Sequence, residues 1–158
     1  ITEPERSACR LEGYRRTLAR ARSRAQRHFV AEAGQSHDAA MGLARSWLMP
    51  TIRPTAIVAE TAEVALAFLE VADAMKIAVP RELSILSLTD SPALERAKPA
   101  ISVLHQPYGA MFAQACERLM ANSASAGRTA ATRADEPDAP TGFEFIDRAS
   151  LAKAPRTV

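Results

Sequence analysis

Segment 54–90 constrains the fold of this chain more than any other part of the sequence. A short apolar run follows Pro54, a second spans 83–88, and apolar residues recur at helical spacing between the two. These helical positions are Val64, Ala65, Phe68, Leu69, Ala72 and Met75. A strand, a helix and a second strand in this order are typical of a parallel pair joined by a crossover helix. The segment therefore predicts an α/β fold with a mostly parallel sheet flanked by helices.

Polar residues follow both predicted strands at the points where the strands end. Glu60 and Thr61 follow the first strand, and Thr89 and Asp90 follow the second. In open parallel sheets, ligands bind just beyond the carboxyl ends of the strands. The four side chains are therefore candidates for hydrogen bonding a polar ligand. Glu60 and Asp90 could also form a carboxylate pair for acid–base catalysis, but hydrogen bonding or helix capping is the more common role.

An amphipathic helix is predicted near the start of the chain, where apolar residues recur at helical spacing from Leu11 onward. Arg10 lies in this helix, and a short strand at 28–32 and a helix capped by Ser36 are predicted to follow. The polar face of the first helix carries Arg15, Arg16, Arg20, Arg22 and Arg24. Because no aromatic or amide side chains interleave with these arginines, they indicate a solvated helix face better than a nucleic-acid interface.

Two further turns carry polar residues that could join the same edge of the sheet. Gln35 and His37 follow the predicted strand at 28–32, and Gln106 follows a third predicted strand at 101–104. Together with the Arg10 guanidinium, these side chains suit a polar ligand rich in hydrogen-bonding groups.

The last third of the chain is predicted to contain one helix, one loop and one edge strand. Pro107 suits the first position of a helix. Over 121–140 the composition changes to small and polar residues without periodicity, which predicts a mobile surface loop. Residues 143–147 alternate between apolar and polar, as an edge strand does.

Composition and motifs exclude several classes of function. The 158 residues are 47% hydrophobic and 24% charged with a formal net charge of +2, which is ordinary for one globular domain. No apolar run approaches the roughly 20 residues of a membrane helix. No phosphate-binding glycine loop, GxSxG motif or zinc-ligand spacing is present, so we expect a binding module without cofactor or metal, not an enzyme. Cys9 and Cys116 are predicted to be buried thiols in a reducing compartment.

Five motifs, taken in order, resemble the lactose/galactose-repressor (LacI/GalR) family of bacterial transcription regulators. They are RLEGY at 10–14, PTAIVA at 54–59, VPRELSI at 79–85, PAISVLHQP at 99–107 and RAS at 148–150. The resemblance runs in register over nearly the whole chain. It implies a periplasmic-binding-protein-like, Rossmann-like fold in which two lobes enclose a small effector.

The resemblance also implies roles for individual residues. Arg10 corresponds to the effector-contacting arginine of the family, and Gln106 to a polar residue where the chain crosses between lobes. Asp90 takes the second position of the usual Asp-Asp or Asp-Asn pair, and Thr89 stands at the first position. The complete set of predicted ligand-binding residues is Arg10, Gln35, His37, Glu60, Thr61, Thr89, Asp90 and Gln106.

This sequence departs from the family pattern at two strand ends. Thr89 replaces the first acidic residue of the pair, and Glu60-Thr61 stands where the family commonly has Asn-Asp. Both departures weaken the expectation of an ordinary sugar effector without excluding it, so sugars and sugar-acid-like molecules are both candidates.

The resemblance finally implies a domain organisation and partners. Residues 1–106 are expected to form the distal lobe without its first strand, and 107–158 a helix, loop and strand of the other lobe. We expect these residues to be part of a longer cytoplasmic regulator, or a partner chain to take the place of the missing first strand. It would act as a homodimer without membrane association, and contact operator DNA only through a helix-turn-helix domain that this sequence lacks. The alternative is a periplasmic solute-binding protein, but the ending Arg148-Ala149-Ser150 favours the regulator.

Overall fold

The computed structural model describes residues 3–20, 30–33, 36–50, 53–124 and 142–153. The chain divides into two compact units, Ile1–Glu32 and Ala33–Val158. The helices and strands, in chain order, are α1 (Glu3–Arg20), α2 (His37–Leu48), β1 (Ala56–Ala59), α3 (Ala62–Ala74), β2 (Ser84–Ser87), α4 (Pro92–Arg96), β3 (Ser102–His105), α5 (Tyr108–Ala124) and β4 (Glu144–Ile146).

The first unit contains the amphipathic helix predicted from the sequence. Leu11 and Leu18 of α1 are half-buried, whereas Arg15 and Arg16 are exposed. This distribution agrees with a solvated face for the arginines. Arg10 is half-buried on the same helix.

The second unit contains one four-stranded sheet in the order β1-β2-β3-β4. β1, β2 and β3 are parallel, with Ile57 opposite Ile85 and Leu86 opposite Ser102. β4 runs antiparallel to β3 and places Ile146 opposite Val103. The mostly parallel sheet predicted from segment 54–90 is therefore confirmed.

One face of the sheet is covered by α3, on which α2 packs in turn. Ile57 and Ala59 of β1 are buried, whereas Val58, which points to the opposite face, is 54% exposed. Phe68 on α3 is only 1% exposed, and its ring centroid lies 5.8 Å from that of Trp47 at an angle of 58°. The apolar face of α3 therefore forms the centre of the core, as the sequence predicts, except at Met75, which follows the helix and is 38% exposed.

Helix starts follow the local sequence. The Ser36 hydroxyl oxygen accepts a hydrogen bond from the N–H of Ala39 at 3.2 Å, which confirms Ser36 as the cap of α2. Pro92 stands in the first turn of the short helix α4, where its missing N–H costs no hydrogen bond.

Residues 147–152, which we call the C-terminal segment, bridge β2 and β3 at the end where these strands begin. The N–H of Ile85 donates to the Ser150 carbonyl oxygen at 3.0 Å, and the N–H of Ala149 donates to the Ala100 carbonyl oxygen at 3.0 Å. The Ser150 hydroxyl donates to the Ile85 carbonyl oxygen at 2.6 Å and accepts from the N–H of Ser102 at 2.8 Å. Ser150 is fully buried, so these bonds satisfy polar groups that water does not reach.

Three expectations from the sequence are wrong in the described residues. Residues 30–32 form no strand, and the remainder of the predicted strand at 28–32 lies outside the described residues. α5 continues to Ala124, so residues 121–124, which were predicted to begin the loop, are helical instead. None of these four is Gly or Pro, the two residues that most disfavour a helix. The rest of the predicted loop lies outside the described residues. Cys9 and Cys116 are free but exposed, since each lies on the solvent side of its helix.

Candidate functional site

The loops that follow β2 and β3 line a small, partly open cavity of about 60 Å³. Both strands are parallel, so their carboxyl ends meet at one edge of the sheet, where ligands of such sheets bind. The cavity is lined by Leu88, Thr89, Asp90, His105, Gln106 and Tyr108. Three of the predicted site residues are therefore brought together at this edge.

Asp90 is held by an arginine that the sequence analysis did not include among the site residues. Arg148 donates from Nη1 to Oδ1 of Asp90 at 3.0 Å and from Nη2 to Oδ2 at 2.9 Å. The Arg148 side chain is 14% exposed and that of Asp90 22% exposed, so the pair is largely shielded from water. The only sequence signal for Arg148 is its position in the motif at 148–150.

The ionisation of Asp90 follows from this contact. Hydrogen bonds from Arg148 lower the pKa of the Asp90 carboxyl below its ordinary value of 3.8, although partial burial acts in the opposite direction. The N–H of Ser91, which donates to Oδ1 at 2.8 Å, lowers the pKa further. Asp90 is therefore ionised near neutral pH, and most of its hydrogen-bonding capacity is used within the protein.

Thr89 and Gln106 present neutral polar groups to the cavity. The turn at Thr89 is shaped by Ser87, whose hydroxyl donates to the Thr89 carbonyl oxygen at 2.7 Å and accepts from its N–H at 3.2 Å. Within the part of the chain that the structure describes, the hydroxyl of Thr89 and the side-chain amide of Gln106 make no hydrogen bond. Both groups are half-buried and so remain able to bond a ligand.

His105 lies beside Asp90 on the wall of the same cavity. Its Nδ1 is 3.8 Å from Oδ2 of Asp90, and its side chain is 36% exposed. This distance is longer than a hydrogen bond, so a protonated imidazole would contribute charge attraction without a direct bond.

Glu60 and Thr61 lie one strand away from the cavity, at the carboxyl end of β1. The N–H of Leu88 donates to the Ala59 carbonyl oxygen at 2.8 Å, which brings the loops after β1 and β2 side by side. Thr61 caps α3, since its hydroxyl oxygen accepts from the N–H of Val64 at 3.4 Å. Glu60 is half-buried, and neither residue lines the cavity.

His37 is placed elsewhere in the same unit. Its Nε2 lies 3.7 Å from Oε2 of Glu70, and the two side chains are 58% and 61% exposed, so this pair contributes little to stability. Both residues line an open groove of about 470 Å³ that is formed mainly by α3, and this groove shares no lining residue with the small cavity. Gln35 lies outside the described residues, and Arg10 lies on α1 in the first unit.

The small cavity is a better candidate site than the larger groove. The groove is open and exposes Leu66 and Leu69 between charged side chains, whereas polar groups from two strand ends converge on the cavity. A volume of about 60 Å³ holds only part of a sugar-sized molecule, since ligand pockets typically enclose about 300–1,000 Å³. The cavity alone is therefore too small to enclose a sugar-sized ligand.

The described residues hold neither a candidate metal site nor a candidate membrane span. Groups of His, Cys, Asp and Glu that could hold a metal ion are absent from this part of the chain. No helix in the described ranges is both long enough and apolar enough to span a membrane.

Solved structures with the same fold are mainly described as LacI-family regulators. The match with such a regulator from Mycobacterium smegmatis has a sequence identity of 25% and a TM-score of 0.69. It covers 92% of this chain and 52% of the regulator. The match with a regulator from Bifidobacterium animalis subsp. lactis has an identity of 28% and a TM-score of 0.61. It covers 79% of this chain and 44% of the regulator. For a regulator from Lactobacillus casei with bound sucrose the identity is 17%, which shows the fold alone, with a TM-score of 0.74 and coverage of 92% and 51%.

The chain thus spans about half the length of these structures, given coverage of 52%, 44% and 51%. A search of curated proteins gave no match. The family model for a periplasmic binding protein-like domain matches residues 2–150. The resemblance of the five motifs to the LacI/GalR family is confirmed by these likenesses. The chain belongs to the family of periplasmic binding protein-like domains.

Proposed function

We propose that this chain is the effector-sensing part of a bacterial transcription regulator and binds a small polar ligand, such as a sugar or sugar acid. The observation that carries the proposal is the cavity at the carboxyl ends of β2 and β3, where the polar side chains of Thr89, Asp90 and Gln106 meet, in a chain of this family. The Lactobacillus casei neighbour, which shares the fold, has bound sucrose, so sugars are among the first compounds to test.

The residues assigned to ligand binding by this proposal offer several kinds of polar group. Thr89 and Gln106 offer a hydroxyl and an amide, which can donate and accept hydrogen bonds with ligand hydroxyls. Arg10 offers a guanidinium fork that can span two hydroxyls or a carboxylate. Glu60 and Thr61 extend the polar edge toward β1. No residue of this set has a catalytic role in the proposal, so the domain binds its ligand without turnover.

Regulation would follow from a shift between open and closed arrangements of two lobes. A ligand that makes more contacts in one arrangement favours it by the difference in binding free energy. In a homodimer, that shift would change the spacing of two helix-turn-helix domains and so the operator affinity. A coupling of about 1–3 kcal/mol would alter operator affinity about 5- to 150-fold. The regulator would act in the cytoplasm.

A periplasmic solute-binding protein is the second candidate, because the matched family is described as periplasmic binding protein-like. Both candidates use the same ligand site. The sequence of the whole gene distinguishes them: an encoded helix-turn-helix domain supports the regulator, and an encoded export signal supports the solute-binding protein.

A thermal-shift screen with sugars, sugar acids and nucleobases tests the proposed ligand class. A compound present at about 100 times its Kd should raise the melting temperature by about 5 °C or more. Arg10→Ala should abolish this increase, whereas Arg15→Ala, which removes an exposed arginine from the same helix, should retain it. A response that survives Arg10→Ala would exclude Arg10 from the site. The absence of any response across the three classes would contradict the proposed ligand.

A further inference from the structure

Arg148 contacts the candidate site through Asp90 and does not itself line the cavity. Its guanidinium donates to both carboxylate oxygens of Asp90, and Asp90 lies on the cavity wall. This bidentate arrangement determines the position of the carboxylate as well as its charge, because two parallel hydrogen bonds restrict rotation.

The guanidinium is itself fixed by the packed sheet. Nη1 of Arg148 also donates to the Ile101 carbonyl oxygen at 2.9 Å. The backbone N–H of Arg148 donates to the Ser102 hydroxyl oxygen at 2.9 Å, and that hydroxyl donates to Oδ1 of Asp147 at 3.0 Å. Backbone and side chain of Arg148 are therefore both attached to the start of β3, which is buried at Ile101 and Ser102.

These contacts leave Asp90 little freedom at the cavity. Oδ1 accepts hydrogen bonds from Arg148 and from the N–H of Ser91, and Oδ2 accepts one from Arg148. A carboxylate has about four acceptor positions, so about one remains, on Oδ2, the oxygen nearest His105. The side chain of Arg148, which follows β4 in the chain, thereby connects the loop at 88–91 with the start of β3.

We propose that Arg148 is a positioning residue of the ligand site: it fixes Asp90, and through Asp90 the loop at 88–91, in the arrangement that presents Thr89 to the ligand beside Gln106. This inference rests on the proposed function, because it concerns the same cavity. It differs from a purely structural role for Arg148, which would require only that the C-terminal segment stay folded.

Nuclear magnetic resonance of the ligand-free chain tests this inference. The carboxyl carbon of Asp90 is titrated with pH, and the backbone amide signals are compared, in wild type, Arg148→Met and Arg148→Lys. In Arg148→Met, we expect the Asp90 titration midpoint to move upward, because the hydrogen bonds and positive charge that lower the pKa are lost. Amide signals at 88–91 and 105–108 should move with it.

Arg148→Lys separates charge from geometry. Lysine keeps the positive charge but lacks the planar fork, so the Asp90 midpoint should be partly restored while the amide signals at 88–91 stay displaced. Arg53→Met is the matched control, since Arg53 pairs with Glu82 at 3.0 Å near the opposite end of β2. This control should leave both the Asp90 midpoint and the 88–91 signals unchanged.

The outcomes are distinct from those of the ligand screen. If the Asp90 midpoint and the 88–91 signals are the same in wild type and Arg148→Met, Arg148 is no positioning residue, whatever the screen finds. If Arg148→Met does not fold, the comparison of wild type with Arg148→Lys decides the question by the same two readouts. A failed screen counts against the proposed ligand alone, because the titration needs no ligand.

Discussion

Replacing Phe68 by alanine is expected to lower the free energy of unfolding by about 3–5 kcal/mol. Phe68 is 1% exposed and lies against Trp47, so truncation removes apolar contacts and leaves a cavity between α2, α3 and the sheet. Urea denaturation followed by circular dichroism measures the change. The helical signal is preferable to tryptophan fluorescence because Trp47 itself contacts the mutated position.

Phe112→Ala is the matched control for this experiment. Phe112 lies on α5 and is 70% exposed, so its truncation should change the free energy of unfolding by no more than about 0.5 kcal/mol. If both variants lose the same stability, the core does not have its centre at Phe68. The packing of α3 on β1 and β2 would then have to be revised.

Replacing Ser150 by alanine is expected to lower the free energy of unfolding by about 2–3 kcal/mol. The hydroxyl of this fully buried serine connects the Ile85 carbonyl oxygen on β2 with the N–H of Ser102 on β3. Alanine leaves both backbone groups buried without that partner. The same denaturation experiment measures the loss.

Ser46→Ala provides the comparison for Ser150→Ala. The exposed Ser46 hydroxyl donates to the Leu43 carbonyl oxygen at 2.7 Å within α2. Its loss is compensated by water and by the higher helix propensity of alanine, so stability should stay within about 0.5 kcal/mol of wild type. A Ser150→Ala variant as stable as Ser46→Ala would mean that the C-terminal segment does not hold β2 and β3 together.

The fold was predictable from local patterns because its central elements have strong periodicity. The apolar run before Glu60, the helical spacing through Phe68 and the run before Thr89 each indicate one element, and a helix between two strands is the usual connection of a parallel pair. The helix cap at Ser36 was predictable for the same reason, since capping depends on residues within one turn. The predicted strand at 28–32 had no comparable periodicity, and residues 30–32 do not form it.

The cavity was only partly predictable. Thr89, Asp90 and Gln106 were assigned correctly to one edge, because parallel strands bring their carboxyl ends together. His37 was assigned to the same edge only because it follows a predicted strand in the chain. Chain order does not determine where the start of α2 lies along α3, and the structure places His37 beside Glu70. The ligand-binding role of all eight predicted residues stays a prediction.

The contact between Arg148 and Asp90 could not be derived from the sequence. The two residues are 58 positions apart, and their pairing depends on the path of the C-terminal segment across β2 and β3. No periodicity or local motif encodes that path. Asp90 is consequently less available to a ligand than its position in the sequence indicated, whereas Thr89 and Gln106 remain available.

Amide chemical-shift mapping of the wild-type chain with the strongest compound from the ligand screen tests the central claim most directly. The claim is that a polar ligand binds at the carboxyl ends of β2 and β3. We expect the largest perturbations at 88–91 and 105–108, around the cavity that Thr89 and Gln106 line. Perturbations confined to the groove around His37 and Glu70, with none at the strand ends, would contradict the claim.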